Sequence, residues 1–190
     1  MKRIVPLLGL ALALTAAVAP AHSFNITASF SRALSIVAGM SGAHPIPVVE
    51  HAISTFDRGV VEAFGKAWGR SGNGTSGREG VVLVLRKVGG GYDGRDMGAT
   101  NEQKQFTFRW HPSTIAIVHT HPNASDPKPH DLDLAVADKY GVPIFTITSR
   151  GMYAYDPNTR KISKVLDNLE WLDASKFSVV RKTIISQDDY

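Results

Sequence analysis

The chain has 190 residues and a formal net charge of +4, and its hydrophobic fraction of 43% is enough for one packed domain. It contains no cysteine, which excludes disulfides and thiolate-bound zinc, so a metal site would have to use His, Asp and Glu. The basic residues are interspersed and form no stripe with aromatic residues, which argues against nucleic-acid binding.

The first residues have the pattern of a secretory signal. The positive start MKR precedes an apolar stretch that is short for a membrane span and ends in small residues. We expect residues 1–23 to be a signal peptide, residues 24–46 to be an arm of undecided structure, and residues 47–190 to be a single domain. The mature protein is then expected to be periplasmic or secreted, with no segment that spans a membrane.

Apolar residues at helical spacing predict one helix over residues 45–68. The residues that share its buried face are Val49, Ile53, Phe56, Val60, Phe64 and Ala67. The glycine-rich residues 69–80 come next and predict a loop without regular structure, which could act as a mobile flap beside Glu79.

Runs of β-branched and apolar residues predict the strands of a sheet. They lie at residues 81–88, 105–110, 113–121, 142–149, 151–157 and 161–166, with a loop predicted over 89–104. A helix closed by Gly141 is predicted over residues 130–141, and another over the tail, residues 168–177. This order of elements predicts a single α/β (α+β) domain in which helices cover a mixed sheet.

The stretch HTHPNASDPKPHDLDLA, which begins at His119, predicts a metal site. Side chains two residues apart on a strand point to the same face, so His119 and His121 can bind one ion together. A carboxylate at the start of the next helix can provide a third ligand after the proline-containing turn. Two imidazoles and a carboxylate leave one zinc position open for water, as in catalytic sites, which also need a general base, usually Glu.

These residues resemble the JAB/MPN+ (JAMM) metalloprotease signature, in which His-x-His-Pro, a turn and Ser-x-x-Asp follow a Glu before a buried strand. The resemblance covers about residues 47–156 and is similar in particular to bacterial exported JAB-like domains with HTHPN and a trailing YDP. It implies a JAB/MPN-like domain in which His119, His121 and Asp133 bind Zn²⁺ and Glu79 activates a zinc-bound water. The implied activity is hydrolysis of a peptide or isopeptide bond in a peptide or protein substrate.

Two features depart from that signature. The turn is one residue longer, and His130 stands where the family has a serine that helps to hold the developing oxyanion. A histidine there can act as a catalytic hydrogen-bond donor or bind the metal, whereas Ser125, an alternative hydroxyl, is more typical of a turn. Asp131 competes with Asp133 as the third ligand, and the pattern Pro-His-x-x-Asp-Leu favours Asp133.

Three functions are compatible with this pattern. The first is a zinc-dependent amide hydrolase of the JAMM type that acts outside the cytoplasm. The second is a non-catalytic JAB-like binding module or an exported toxin or effector domain. The third, a periplasmic zinc carrier, would need an acidic, His-rich loop that the chain lacks. The presence of Glu79 together with the histidines and the acid favours the hydrolase, because a scaffold does not need a base.

Overall fold

A computed structural model describes residues 48–99 and 108–178 of the chain. The predicted signal peptide and arm lie outside the described residues, as do the beginning of the predicted strand 105–110 and the last twelve positions, 179–190. No helix within the two described ranges is long and apolar enough to cross a membrane.

Two helices, rather than one, precede the first strand. Helix α1 spans Val48–Ile53 and helix α2 spans Arg58–Arg70. The single predicted helix was wrong because the carboxylate of Asp57 accepts a hydrogen bond of 3.0 Å from the Val60 amide and caps a new helix at that point. The apolar residues predicted to share one face are nevertheless all buried, since both helices pack on the same side of the sheet.

A six-stranded mixed sheet forms the body of the domain. Its strands are β1 (Gly80–Arg86), β2 (Tyr92–Ala99), β3 (Thr114–Thr120), β4 (Ile144–Thr148), β5 (Gly151–Asp156) and β6 (Lys161–Asp167). Their spatial order is β2-β1-β3-β4-β5-β6, in which β3 and β4 are parallel and all other neighbours antiparallel. Together with the helices this makes a single α+β domain, as the sequence predicted.

Helices cover both faces of the sheet. On one face, α1 and α2 pack on a core that includes Val82, Val118 and Phe145. On the other face, helix α3 (Asp131–Tyr140) packs on residues that include Val81 and Ile117. Helix α3 ends at Gly141, which has a φ of 64° and adopts the left-handed conformation predicted for a helix-closing glycine. The α3 face is the one that carries the candidate site.

Two sequence predictions were wrong in the region of strand β2. Residues 89–104 were predicted to be a loop, but residues 92–99 pair along the whole of β1, and the described residues of the predicted strand 105–110 are not in a strand. Glycines and charged residues give β2 a low strand propensity, which pairing and packing override. Gly94 makes this packing possible, because a Cβ there would lie 2.7 Å from the Cβ of Ala63 on α2.

The described part of the tail is helical in two pieces. A 3₁₀ turn spans Glu170–Leu172, and residues 174–178 are helical. Trp171 is buried, and its indole Nε1 donates a 2.9 Å hydrogen bond to the Thr148 carbonyl. The helix predicted over 168–177 is therefore divided at Asp173, whose backbone is extended.

Candidate metal centre

Two histidine side chains meet at the end of β3. His119 is the penultimate residue of that strand and His121 follows its last residue, so both project to the α3 face of the sheet. Both side chains are buried, and their Nε2 atoms lie 3.0 Å apart. The geometry that the spacing predicted is present: two imidazole nitrogens face one common point.

Asp133 supplies a carboxylate to the same point. It lies in the first turn of α3, and its Oδ2 is 3.5 Å from the Nε2 of His119 and 3.7 Å from that of His121. The amide of His130, which precedes the helix, donates a 2.7 Å hydrogen bond to that oxygen and fixes its direction. The rival residue Asp131 is exposed, so Asp133 is the acid that faces the histidines.

The three separations match the edges of a zinc tetrahedron. Ligand atoms about 2.0–2.2 Å from a central Zn²⁺ are separated from one another by roughly 3.3–3.6 Å in a tetrahedral site. The observed edges of 3.0, 3.5 and 3.7 Å bracket that value. The donor set, two nitrogens and one oxygen, is also one that zinc takes. The three side chains therefore fit such an ion with little rearrangement.

Glu79 reaches the site from a neighbouring strand. Val81 on β1 is paired with His119 on β3, and Glu79, two residues before Val81, belongs to the same face. One carboxylate oxygen of Glu79 and one nitrogen from each histidine all lie within 4.8 Å of one another, a grouping that could hold a metal ion. The set that contains Asp133 is tighter, and Glu79, which is half-buried, stands beside it.

A backbone carbonyl orients the ring of His121. The Nδ1 of His121 lies 2.8 Å from the carbonyl oxygen of Asp126. A protonated Nδ1 leaves the lone pair of that ring on Nε2, which is the tautomer that metal-binding histidines use.

This arrangement concentrates negative charge and lone pairs in a buried place. Burial alone would lower the pKa of His119, but the adjacent Asp133 carboxylate, with a contribution from Glu79, raises the pKa above its ordinary value. Burial likewise acts to raise the pKa of Asp133, and the His119 and His121 rings outweigh it and lower this pKa. Both shifts have one cause: the site stabilises a positive charge between these side chains, which a proton or a metal cation can provide.

The loops beside the site are tied together by Asn123. Its amide nitrogen donates to the Gly74 carbonyl at 2.8 Å, its Nδ2 donates to the Asn73 carbonyl at 3.1 Å, and its Oδ1 accepts from the Ser149 amide at 3.3 Å. Gly74 is required for this contact, because a Cβ there would lie 2.6 Å from the Asn123 Oδ1. Hydrogen bonds therefore connect the glycine-rich loop to the segment that follows His121.

The turn between His121 and α3 is also held by one side chain of β4 and one of the turn that follows β4. The Thr146 hydroxyl on β4 donates to the Pro127 carbonyl, and the Arg150 guanidinium donates to the Ser125 carbonyl. Sequence reasoning missed Asn123, Thr146 and Arg150, because these residues act through backbone carbonyls that carry no sequence signal. The Asp126 side chain also stabilises the turn, since it accepts a 3.0 Å hydrogen bond from the Lys128 amide.

Of the remaining candidates, His130 lies nearest to the centre. Its ring centroid is 4.7 Å from that of His121 with an interplanar angle of 37°, and its side chain is exposed. Ser125 is a turn residue, since its amide donates to the Pro122 carbonyl at 2.9 Å. Glu62 is exposed and pairs with Arg58, and among the described residues Glu79 is the glutamate that groups with the two histidines.

Comparison with known proteins identifies no family for this chain. No family model matches the chain, and no curated protein matches it.

Proposed function

We propose that the protein is a zinc-dependent hydrolase of the JAMM type that cleaves peptide or isopeptide bonds. One observation carries this proposal: two imidazole nitrogens and a carboxylate oxygen converge at separations of 3.0, 3.5 and 3.7 Å, with a second carboxylate beside them. A purely structural zinc site would use a fourth protein ligand, whereas three ligands and a neighbouring base are typical of a hydrolytic centre.

His119, His121 and Asp133 would hold the ion, and Glu79 would act as the base. A bound Zn²⁺ supplies a Lewis acid that polarises a carbonyl and lowers the pKa of water towards neutrality. Glu79 takes a proton from the attacking water as its oxygen bonds to the substrate carbonyl carbon. The same carboxyl then delivers that proton to the departing amine as the carbon–nitrogen bond breaks, so one residue serves as base and acid.

His130 is the candidate for the oxyanion donor. The serine of the JAMM signature is absent at this position, and the exposed imidazole of His130 lies against the His121 ring. An imidazole N–H at the rim of the centre can donate a hydrogen bond to the negatively charged oxygen that develops on the substrate carbonyl. In this proposal His130 is a catalytic residue and not a zinc ligand.

The proposed substrate is a peptide or protein outside the cytoplasm. The N-terminal pattern MKR followed by an apolar stretch supports export, and we propose that the mature chain is periplasmic or secreted. A peptide cross-link of the cell envelope or a protein in a competing cell would be reached from there. The proposal includes neither nucleic acid nor a membrane span in the mature chain.

The test compares the zinc-loaded protein with its Glu79→Gln variant. The probe is a mixture of internally quenched peptides, some of which carry an isopeptide bond through a lysine side chain. Glu79→Gln keeps the size of the side chain but removes the base, so zinc content should stay equal while hydrolysis falls by roughly 10²–10⁴-fold. Glu62→Gln, on the exposed face of α2, is the matched control and should leave hydrolysis unchanged.

The competing proposal is a non-catalytic binding module, and the loss of the serine at position 130 is the observation that favours it. Such a module could keep the zinc and the geometry but would not cleave the probes. Equal zinc with no difference between wild type and Glu79→Gln would support the binding module and overturn the hydrolase.

A further inference from the structure

Thr120, between the two histidines, makes a hydrogen bond that is unusual for a strand residue. Its side chain is fully buried, and its hydroxyl oxygen accepts a 2.9 Å hydrogen bond from the amide of Gly80. Gly80 is the first residue of β1 and directly follows Glu79. One side chain of the His-x-His segment thus holds the residue next to the proposed base.

This bond extends the contact between β1 and β3 beyond their backbone pairing. Backbone pairing of the two strands begins at Val81, which is opposite His119. Gly80 pairs with Ala99 of β2 on its other side, and on the β3 side its amide has the Thr120 hydroxyl as its partner. A side-chain oxygen here takes the role that a backbone carbonyl has in a regular ladder.

The surroundings leave Gly80 little room to move. A Cβ at Gly80 would lie 2.8 Å from the carbonyl carbon of Ala67, so the start of β1 lies directly against the backbone of α2. Helix α2 limits Gly80 from one side and the Thr120 hydroxyl holds it from the other. Glu79 itself is outside the strand, and its location therefore depends on this anchored neighbour.

We infer that Thr120 is a positioning residue that holds Glu79 at the metal centre through the Gly80 amide. This inference rests on the proposed function, in which Glu79 is the base. Proton transfer requires the base to be within hydrogen-bond reach of the attacking water, and a displacement of about 1 Å can cost roughly 10²-fold in rate. His119 and His121 project to the opposite face from Thr120, so loss of its hydroxyl should spare the ligands.

The experiment compares Thr120→Val, which removes the hydroxyl at nearly constant volume, with Thr120→Ser, which keeps it. Thr114→Val is the matched control, because Thr114 is a buried threonine at the other end of β3 whose hydroxyl donates to the His111 carbonyl at 2.6 Å. Each protein is loaded with Co²⁺, and its metal content and visible absorption spectrum are measured beside those of Glu79→Gln. Turnover of the quenched-peptide probes is measured on the zinc-loaded forms.

We expect one equivalent of metal in all proteins and a Co²⁺ spectrum that changes in Thr120→Val in the same direction as in Glu79→Gln. Thr120→Ser and Thr114→Val should resemble wild type, and turnover in Thr120→Val should fall by about 10- to 100-fold at unchanged KM. A wild-type spectrum in Thr120→Val, with an altered one in Glu79→Gln, overturns the inference and leaves the proposed function standing. Wild-type turnover in Glu79→Gln overturns both.

Amide hydrogen exchange keeps the inference testable if Thr120→Val does not fold. The Gly80 amide of the wild-type protein should be protected, and it should remain protected in Thr120→Ser. In a folded Thr120→Val protein its exchange should accelerate by about tenfold, as expected for the loss of one hydrogen bond. Exchange of the wild-type Gly80 amide at the rate of an unstructured peptide would overturn the inference without any variant.

Discussion

Val81 on β1 lies opposite His119 on β3, and this pairing explains how a distant glutamate reaches the histidines. Residues of one strand alternate between faces, so Glu79, two positions before Val81, shares the face of His119. The turn after His121 then returns Asp133 to that face at the start of α3. Three segments that are separate in the sequence therefore provide four side chains to one place.

The first prediction distinguishes the two acids of α3. Asp133→Asn removes the carboxylate whose Oδ2 lies 3.5 and 3.7 Å from the histidine nitrogens, and it should lower zinc affinity by at least about tenfold. Asp131→Asn, at an exposed position two residues earlier, is the control and should bind zinc as wild type does. Competition with a chromogenic chelator measures both affinities. A larger loss of zinc affinity in Asp131→Asn than in Asp133→Asn would show that Asp131, and not Asp133, is the third ligand.

The second prediction concerns pH. Burial acts to lower the pKa of His119, but the neighbouring Asp133 carboxylate outweighs burial and the pKa is raised. In the metal-free protein, His119 is therefore protonated at a higher pH than an ordinary imidazole, and that proton competes with zinc. Zinc affinity should therefore fall as the pH decreases through that raised pKa. The pKa of Asp133 is lowered, so this carboxylate stays ionised and does not set the onset.

Zinc titrations between about pH 5 and pH 8, around the ordinary imidazole pKa of about 6.5, test this directly. In Asp133→Asn, which lacks the charge that raises the pKa, the onset of the loss should move to lower pH even though the affinity is weaker. If the zinc affinity of wild type began to fall at a lower pH than that of Asp133→Asn, the proposed effect of Asp133 on His119 would be contradicted.

The third prediction tests the close contact between β1 and α2. Gly80→Ala places a Cβ 2.8 Å from the Ala67 carbonyl carbon, and backbone must shift to admit it, at a cost of roughly 1–3 kcal/mol in the free energy of unfolding. Gly69→Ala is the matched control on α2, where a Cβ meets nothing within 4 Å and should stabilise the helix by about 0.5–1 kcal/mol. Urea unfolding of both variants measures the free energy of unfolding, which should decrease in Gly80→Ala and increase in Gly69→Ala.

The fourth prediction concerns the loop anchor. Asn123→Ala removes two side-chain hydrogen bonds, to the Asn73 carbonyl and from the Ser149 amide, and should cost roughly 1–2 kcal/mol of stability. Asn123→Asp keeps the acceptor but places a carboxylate oxygen against the Asn73 carbonyl, so it should also lose stability at neutral pH. Faster hydrogen exchange in residues 71–76 should accompany the loss in Asn123→Ala, and unchanged exchange there would show that the loop is held by other contacts.

Much of the fold could be predicted from local sequence patterns. The apolar runs predicted β1, β3 and the three strands after α3, and Gly141 predicted the end of α3. The helix break at Asp57 was missed because one capping side chain outweighed a continuous apolar periodicity. Strand β2 was missed because its pairing with β1 and its packing on α2 through Gly94 are tertiary effects.

The candidate site could be predicted only in part. The spacing predicted that His119 and His121 share a face, and the resemblance to the JAMM signature predicted Asp133 and Glu79 beside them. The contacts that orient these side chains could not be predicted, since the Asp126 carbonyl and the Gly80 amide are backbone groups whose location depends on the folded chain. The sequence therefore indicated which side chains converge, while the structure is needed to identify what holds them.

The most direct test of the central claim is a crystal structure of the zinc-loaded protein with anomalous scattering data collected at the zinc edge. We expect one zinc peak at about 2.0–2.2 Å from the Nε2 atoms of His119 and His121 and from the Oδ2 of Asp133, with Glu79 beside the ion but not bound to it. A peak bound by Glu79 and the histidines while Asp133 turns away would contradict the assignment of base and ligand. Absence of any zinc peak between the two histidines would contradict the metal centre itself.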